Sequence, residues 1–221
     1  MDLVLLGPPG SGKGTQGSLM AEQLGIKLLS TGDLFRGILE DEAHPLYPQV
    51  QVVKDGRLVS DEVVNLVVKD GIQKPEYKNG IIFDGYPRTI AQAKALDEIL
   101  LEMGRQVDLV INFEVTREVL FFRILGRLIC PVCKQVYHKR QGLTRCSNCG
   151  TELVNRSDDN EEIIEKRLQE YQDKTAPLHA YYLSSPAVYI TISVDDASLS
   201  PAELNNQIFE KIKEKGILLA K

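Results

Sequence analysis

The chain has 221 residues, of which 43% are hydrophobic and 26% charged, and its 26 Lys and Arg against 31 Asp and Glu give a formal net charge of −5. This is the composition of a globular protein rather than of a disordered or fibrous one. The acidic balance argues against a protein that coats nucleic acid or binds an anionic membrane surface. The sequence contains no stretch of roughly 18 apolar residues and no signal-peptide layout, so we expect a cytoplasmic protein with no membrane partner.

Short apolar runs alternate with helical patterns, which predicts an α/β fold with a parallel sheet flanked by helices. The predicted strands are Leu3–Leu6, Lys27–Leu29, Ile81–Phe83, Val107–Val115 and Val188–Val194. The predicted helices between them are Thr15–Leu24, Asp61–Ile72, Thr89–Met103 and Thr116–Leu125. Two segments, 30–59 and 127–158, break the alternation and are expected to be insertions. A long helix from Asp159 to about Tyr182, with Asp158 as its candidate N-cap, is expected to return the chain to the core.

A glycine-rich segment, Gly7–Thr15, stands between the first predicted strand and a helix, where a G-x-x-x-x-G-K sequence binds phosphate. Backbone N–H groups and the helix N-terminus attract the anion, and Lys13 reaches the terminal phosphates. The alternative is a simple glycine turn. The candidate phosphate-binding residues are Gly10, Ser11, Gly12, Lys13, Gly14 and Thr15.

The hydroxyl of this segment comes one residue later than in most such loops, because Gly14 follows Lys13 and Thr15 follows Gly14. This G-K-G-T variant is typical of nucleoside monophosphate kinases, and with it the chain resembles adenylate kinase. The resemblance implies a P-loop core, formed by residues 1–29, 60–126 and 159–221. It also implies an NMP-binding insertion (30–59), a lid (127–158), and a monomer.

Four further segments match that family: Ser30–Asp33 followed by Arg36, Gly56–Val59, Asp84–Thr89, and Gln92. The planar fork of arginine suits phosphate, and a Gln amide matches the edge of adenine. Asp33 and Thr31 could instead cap a helix, and Gln92 could be a solvated helix residue. The resemblance implies an AMP site formed by Thr31, Arg36, Arg57, Leu58, Val59, Gly85, Tyr86, Pro87, Arg88, Gln92, Arg156 and Arg167, with Asp84 holding Mg²⁺ through water.

All four cysteines of the chain lie in two C-x-x-C pairs, Cys130 with Cys133 and Cys146 with Cys149. Two such pairs can close a tetrahedral zinc site with no open position, which predicts a structural Zn²⁺. Disulfides are the alternative, which a reducing compartment disfavours. Some adenylate kinases carry such a zinc in the lid, and the location matches.

Five arginines match positions at which adenylate kinases contact their nucleotide substrates. Arg123 and Arg127 are four residues apart and share one face of the helix that leads into the lid. By resemblance, Arg127 packs against the donor base, and Val136, Tyr137 and Ser198 contact ATP. The predicted catalytic residues are Lys13, Arg88, Arg123, Arg127, Arg156 and Arg167. The alternative for any one arginine is a surface ion pair.

The sequence thus predicts Mg²⁺-dependent transfer of a phosphoryl group from ATP to AMP. A sister kinase for UMP, CMP or GMP is the nearest alternative, although Thr31 and Gln92 favour AMP. A P-loop ATPase with a nucleic-acid-binding zinc ribbon is another, but aromatic or Arg-Gly interleaving does not support it. Residues 127–157 contain six Lys or Arg and one acidic residue, so the acidic average conceals a basic lid. The base of the donor cannot be assigned from these residues, because stacking tolerates any base.

Overall fold

The computed structural model describes residues 1–217, so the last four residues of the predicted core segment 159–221 lie outside the described residues. The described residues form seven strands: β1 (Asp2–Leu6), β2 (Lys27–Ser30), β3 (Ile81–Asp84), β4 (Val107–Val115), β5 (Arg127–Ile129), β6 (Val136–His138) and β7 (Val188–Val194). Five of them form one parallel sheet in the order β2-β3-β1-β4-β7. The predicted α/β class and all five predicted core strands are therefore confirmed.

Nine α-helices occur in the described part of the chain. They are α1 (Lys13–Leu24), α2 (Thr31–Leu39), α3 (Tyr47–Val50), α4 (Asp61–Ile72), α5 (Ile90–Glu102), α6 (Arg117–Leu125), α7 (Glu161–Glu170), α8 (Leu178–Leu183) and α9 (Pro201–Glu214). The four helices predicted between the strands are confirmed within two residues at each end. Short 3₁₀ helices span Gln51–Asp55, Pro75–Tyr77 and Lys139–Gln141.

The prediction of one long helix from Asp159 to about Tyr182 is wrong. After α7 the chain forms a π-helical turn, Tyr171–Thr175, and then the short helix α8. Pro177 explains the interruption, because its ring removes a backbone N–H and clashes with the preceding turn of a regular helix. The N-cap of α7 is Asn160, whose side chain accepts the Ile163 N–H at 3.0 Å, and not Asp158.

Alternate residues of the central strand face opposite sides of the sheet. Val4 and Leu6 join one apolar cluster with residues of α2, α4, α5 and α8, whereas Leu3 and Leu5 join a second with residues of α1, α6 and α9. A strand with both faces buried is the expected pattern for a parallel sheet covered by helices on both sides. This arrangement brings the carboxyl ends of β1, β2 and β3 to one edge.

The two insertions differ in how they are packed. The helical insertion (residues 30–59) places Phe35, Val50 and Val59 in the first of the two core clusters. The cysteine insertion (residues 127–158) contains the antiparallel pair β5–β6 and a small cluster of its own, which includes Tyr137 and Leu153. No helix of the described residues is long and apolar enough to cross a membrane.

Candidate active site

A cavity of about 600 Å³ lies above the carboxyl ends of β1 and β3, between the two insertions. Its wall brings together most of the residues that the sequence predicts for nucleotide binding. They are Gly10, Gly12, Lys13, Gly14, Thr15, Arg36, Arg57, Leu58, Val59, Asp84, Gly85, Pro87, Arg88, Gln92, Arg123, Arg127, Val136, Tyr137, Arg156 and Arg167. Ser11, Thr31, Tyr86 and Ser198 are not in this wall.

The glycine-rich loop connects β1 to α1 and is closed around a lysine. Gly12 precedes the helix with φ +98°, a left-handed conformation that favours glycine. The Lys13 ammonium donates to Gly7 O at 2.7 Å, to Pro8 O at 2.8 Å and to Ser11 Oγ at 3.1 Å. Burial lowers the pKa of Lys13 to about 8, and Asp84 partly opposes this shift. The loop therefore presents a partly buried cation beside a helix N-terminus, which is a site for phosphate.

Asp84 ends β3 beside the glycine-rich loop, because the parallel register pairs it with Leu5 of β1. A Cβ at Gly14 would lie 3.1 Å from the Asp84 carboxylate, so a side chain after Lys13 would crowd this group. Burial raises the pKa of Asp84, and the charges of Lys13 and Arg88 oppose that rise. No hydrogen-bond donor among residues 1–217 contacts the carboxylate, which leaves its oxygens for a metal-bound water or a similar donor.

The turn after β3 positions Arg88. The Gly85 carbonyl accepts from Arg88 Nε at 2.8 Å and from the Thr31 hydroxyl at 2.8 Å. The Arg88 N–H donates to Gln92 Oε1 at 2.7 Å, and Gln92 Nε2 donates to Asp61 at 2.7 Å. Burial lowers the pKa of Arg88 to about 10. A partly buried guanidinium in the cavity wall is stabilised by an anion bound beside it.

Gln92 is not solvated, and neither Thr31 nor Asp33 caps a helix. Gln92 is 1% exposed, so it is not a solvated helix residue. The N-cap of α2 is Ser30, whose hydroxyl accepts the Asp33 N–H at 3.3 Å, so neither Thr31 nor Asp33 caps the helix. Asp33 instead accepts from Arg36 at 2.5 Å. Tyr86 lies in the core, where its hydroxyl donates to Asn65 at 2.8 Å.

Three further arginines of the cavity wall, Arg123, Arg127 and Arg167, lie near the glycine-rich loop. Arg123 donates to the Ser11 carbonyl at 3.1 Å. Arg127 pairs with Asp159, and Arg167 with Asp158 at 2.8 Å, but these pairs lie in or beside the cavity and are 22% exposed at most. Together with Arg88, Arg127 and Arg167 act to lower the pKa of Lys13. Positive charge thus converges on the position that a phosphate would occupy.

Arg156 differs from these arginines. Its Nε atom is buried and has no hydrogen-bond partner among the described residues. Burial lowers its pKa to about 10, and the charges of Arg127 and Arg36 add to the shift. A partly buried guanidinium with a buried, unused donor and cationic neighbours is stabilised by an anion placed between them.

The sequence missed several residues of the cavity wall. Phe122 and His138 stack with ring centroids 4.6 Å apart, and Arg140 lies beside them. Phe122 and His138 directly adjoin the predicted residues Arg123 and Tyr137, which was a usable signal. Tyr171, on the π-helical turn, had none, because the turn itself was not predicted.

The four cysteines come together within the cysteine insertion. Their Sγ atoms all lie within 4.8 Å of one another, with pairs at 3.3, 3.4 and 3.8 Å. Zn–S bonds of about 2.3 Å in a tetrahedron place sulfurs about 3.8 Å apart, so the group fits one zinc ion. Hydrogen bonding from the Tyr137 hydroxyl is the main cause that lowers the pKa of Cys146, to about 6. All four thiols are free, so the alternative of disulfides finds no support.

Comparison with known proteins agrees with this geometry. The family model described as "Adenylate kinase" matches residues 5–186. An adenylate kinase of Thermosipho melanesiensis is 42% identical over 212 residues, which cover 93% of this chain and 98% of that protein. Adenylate kinases of Caldanaerobacter subterraneus (41% identical, 97% of this chain and 95% of that protein) and Moorella thermoacetica (46%, 82% and 86%) are similar. The chain belongs to the adenylate kinase family.

Proposed function

We propose that the enzyme transfers the terminal phosphoryl group of ATP to AMP within this cavity and so forms two molecules of ADP. The observation that carries the assignment of the site is that Arg88, Arg127 and Arg167 line the same cavity as Lys13 and lower its pKa through their charges. Phosphoryl transfer depends on positioning and charge stabilisation, and this chain supplies both through fixed cations.

The two nucleotides would occupy opposite sides of the glycine-rich loop. On the side of β2 and β3, Arg36 and Arg88 would bind the phosphate of AMP, and Leu58, Val59 and Gln92 would contact its base. The amide of Gln92 is fixed by Arg88 and Asp61, so its orientation would be set before AMP binds. On the other side, Lys13 and the loop N–H groups would hold the phosphates of ATP.

The domain roles follow from this division. Residues 1–29, 60–126 and 159–217 would form the core, residues 30–59 the acceptor domain, and residues 127–158 a lid. Arg156 belongs to the lid and has a free buried donor, so a closed lid would deliver this charge to the transferring group. Arg123 and Arg167 would act from the two helices that flank the lid.

Mg²⁺ fits the site by the chemistry of its donors. The carboxylate of Asp84 accepts no hydrogen bond from the described residues and lies beside Lys13 and Gly14. When bound, the ion would neutralise charge on the phosphates. Asp84 would orient it through water, while Lys13 and the arginines would place the phosphates for in-line attack.

The cysteine site would be structural. Four protein thiolates complete a tetrahedron, so the ion has no open position at which to activate water. Zinc would instead fix the cysteine insertion, whose Cys133 also lines the cavity. The metal would thus act on turnover through the shape of the lid.

A panel of four nucleoside triphosphates against four nucleoside monophosphates tests the proposal. We expect ADP to form from ATP and AMP, with AMP preferred over GMP, CMP and UMP. Product chromatography separates transfer from hydrolysis. A preference for UMP or CMP would overturn the acceptor assignment, and release of inorganic phosphate without ADP formation from AMP would overturn the reaction.

A further inference from the structure

The end of the cavity that faces β4 and β7 contains a second set of polar groups. The glycine-rich loop follows the central strand β1, and the acceptor residues follow β2 and β3 on one side of it. On the other side the wall is formed by Phe122, His138, Arg140, Gln141, Ala197 and Leu199. With the phosphates at Lys13 and AMP on the β3 side, the base of the donor nucleotide is left to this end.

The walls of this end suit any base. Phe122 and His138 stack on each other at an interplanar angle of 25°, and Leu199 adds an apolar side chain. Stacking on such surfaces does not distinguish one base from another. Selectivity therefore depends on the polar groups at the edge.

The His138 and Gln141 side-chain acceptors at this edge, and the Ala197 carbonyl, already accept hydrogen bonds. The Ala197 carbonyl accepts from Arg140 at 2.7 Å, and His138 Nδ1 accepts the Arg140 backbone N–H at 3.1 Å. His138 Nε2 lies 3.1 Å from the Phe122 carbonyl, and Gln141 Oε1 accepts the His138 N–H at 2.8 Å. Within residues 1–217, the side-chain groups left without a partner here are donors: the other guanidinium N–H groups of Arg140 and the amide N–H₂ of Gln141.

An edge that is rich in hydrogen-bond donors discriminates between purine bases. The N7 and O6 atoms of guanine and hypoxanthine are both acceptors and match a guanidinium fork. Adenine offers one acceptor, N7, beside an amino group that is itself a donor and would face the fork of Arg140. The Ala197 carbonyl, which could accept from that amino group, already accepts from Arg140, whose guanidinium stands beside it.

We propose that Arg140 determines the donor-base preference and makes 6-oxopurine triphosphates, GTP and ITP, effective donors beside ATP. The proposal rests on the function proposed above and specifies the donor side of the same site. Arg140 is held over Phe122, with its guanidinium carbon 5.9 Å from the ring centroid, so its fork is oriented before the base arrives.

The test compares kcat/KM for ATP, GTP, ITP and 7-deaza-GTP at saturating AMP, in the wild type, Arg140→Met and Arg140→Lys. We expect Arg140→Met to lower the GTP-to-ATP ratio about fivefold to tenfold, through weaker use of GTP and ITP and better use of ATP as the Ala197 carbonyl is freed. Arg140→Lys should lower it too, because an ammonium has no fork. In the wild type, 7-deaza-GTP should lose most of this advantage, and in Arg140→Met it should equal GTP.

Arg145→Met is the matched control, since Arg145 is an exposed arginine of the same insertion outside the cavity wall. Its ratio should equal that of the wild type. An unchanged ratio in Arg140→Met, an equal loss for all donors, or full retention of the ratio in Arg140→Lys overturns the proposal. Calorimetry of GTP and ATP binding to the same variants distinguishes failure of the proposed reaction from failure of the Arg140 proposal. If no ADP forms from AMP but the ratio of GTP to ATP affinity still depends on Arg140, only the proposed reaction is refuted.

Discussion

The two insertions of this kinase are stabilised in different ways. The helical insertion contributes Phe35, Val50 and Val59 to the apolar cluster of the core, whereas the cysteine insertion has a separate small cluster that includes three of its four cysteines. A segment of about 30 residues buries too little apolar surface to fold alone, which is why modules of this size usually depend on a metal or on disulfides. One insertion is thus packed into the core, and the other is a module with its own small cluster and four cysteines placed to bind a metal.

The largest expected effect separates the insertions by charge. Arg156 of the cysteine insertion has an unpartnered buried donor, while Arg36 of the helical insertion is paired with Asp33. We expect Arg156→Met to lower kcat by about 10³, because it removes a positive charge that would stabilise the transferring phosphoryl group. Arg36→Met should chiefly raise the KM for AMP. Steady-state kinetics with both substrates varied measures the split, and an unchanged kcat in Arg156→Met would remove that residue from the catalytic set.

The next effect separates the insertions by packing. Phe35 and Leu153 are buried to a similar degree, 7% and 9% exposed, but in different clusters. Phe35→Ala should lower the global free energy of unfolding by about 3–5 kcal/mol. Leu153→Ala should leave the unfolding of the core unchanged and increase amide exchange within residues 127–158. Urea unfolding and hydrogen exchange measure the two, and equal shifts of the global midpoint would show that the insertions unfold as one unit with the core.

Removal of the metal should destabilise the cysteine insertion more than Leu153→Ala does. We expect Cys130→Ser with Cys133→Ser, or a chelator, to lower the melting temperature of the cysteine insertion and to leave substantial turnover at low temperature, because the reacting groups lie elsewhere. Metal analysis should find about one zinc per chain in the wild type. Loss of all turnover in a folded variant that still binds nucleotide would contradict a purely structural role.

The pH dependence of the KM for ATP tests the glycine-rich loop, which belongs to neither insertion. The pKa of Lys13 is lowered to about 8 by burial, so the free enzyme loses this positive charge as the pH rises above 8. A bound triphosphate favours the charged form. The KM for ATP should therefore increase about fivefold between pH 8 and pH 9.

The stability effect of the same group has the opposite sign. Between pH 8 and the ordinary lysine value of 10.5, the unfolded chain binds more protons at Lys13 than the folded chain does. The contribution of Lys13 to the free energy of unfolding consequently rises with pH over this interval. A KM that increased in parallel with a loss of stability would point to partial unfolding instead of titration.

The sequence predicted the sheet and the phosphate-binding loop because both depend on local patterns. A continuous apolar run defines β1, and the spacing of glycines and Lys13 defines the loop, so each was readable without tertiary information. The break after α7 was not predicted, because the apolar pattern runs through it and only Pro177 marked a change. Residues such as Arg140 escaped for a different reason: their role depends on a partner, Ala197, that lies 57 residues away.

The smallest expected effect tests a contact between the insertions themselves. Lys134 of the cysteine insertion lies 3.4 Å from Glu40 of the helical insertion, and both side chains are more than half exposed. Solvent screens such a pair, so Lys134→Ala should change kcat and both KM values by no more than about twofold. Glu40→Ala should match it, and the double variant should show no extra loss. A change greater than about tenfold would mean that the two insertions act on each other directly, and their separate stabilisation would no longer describe the enzyme.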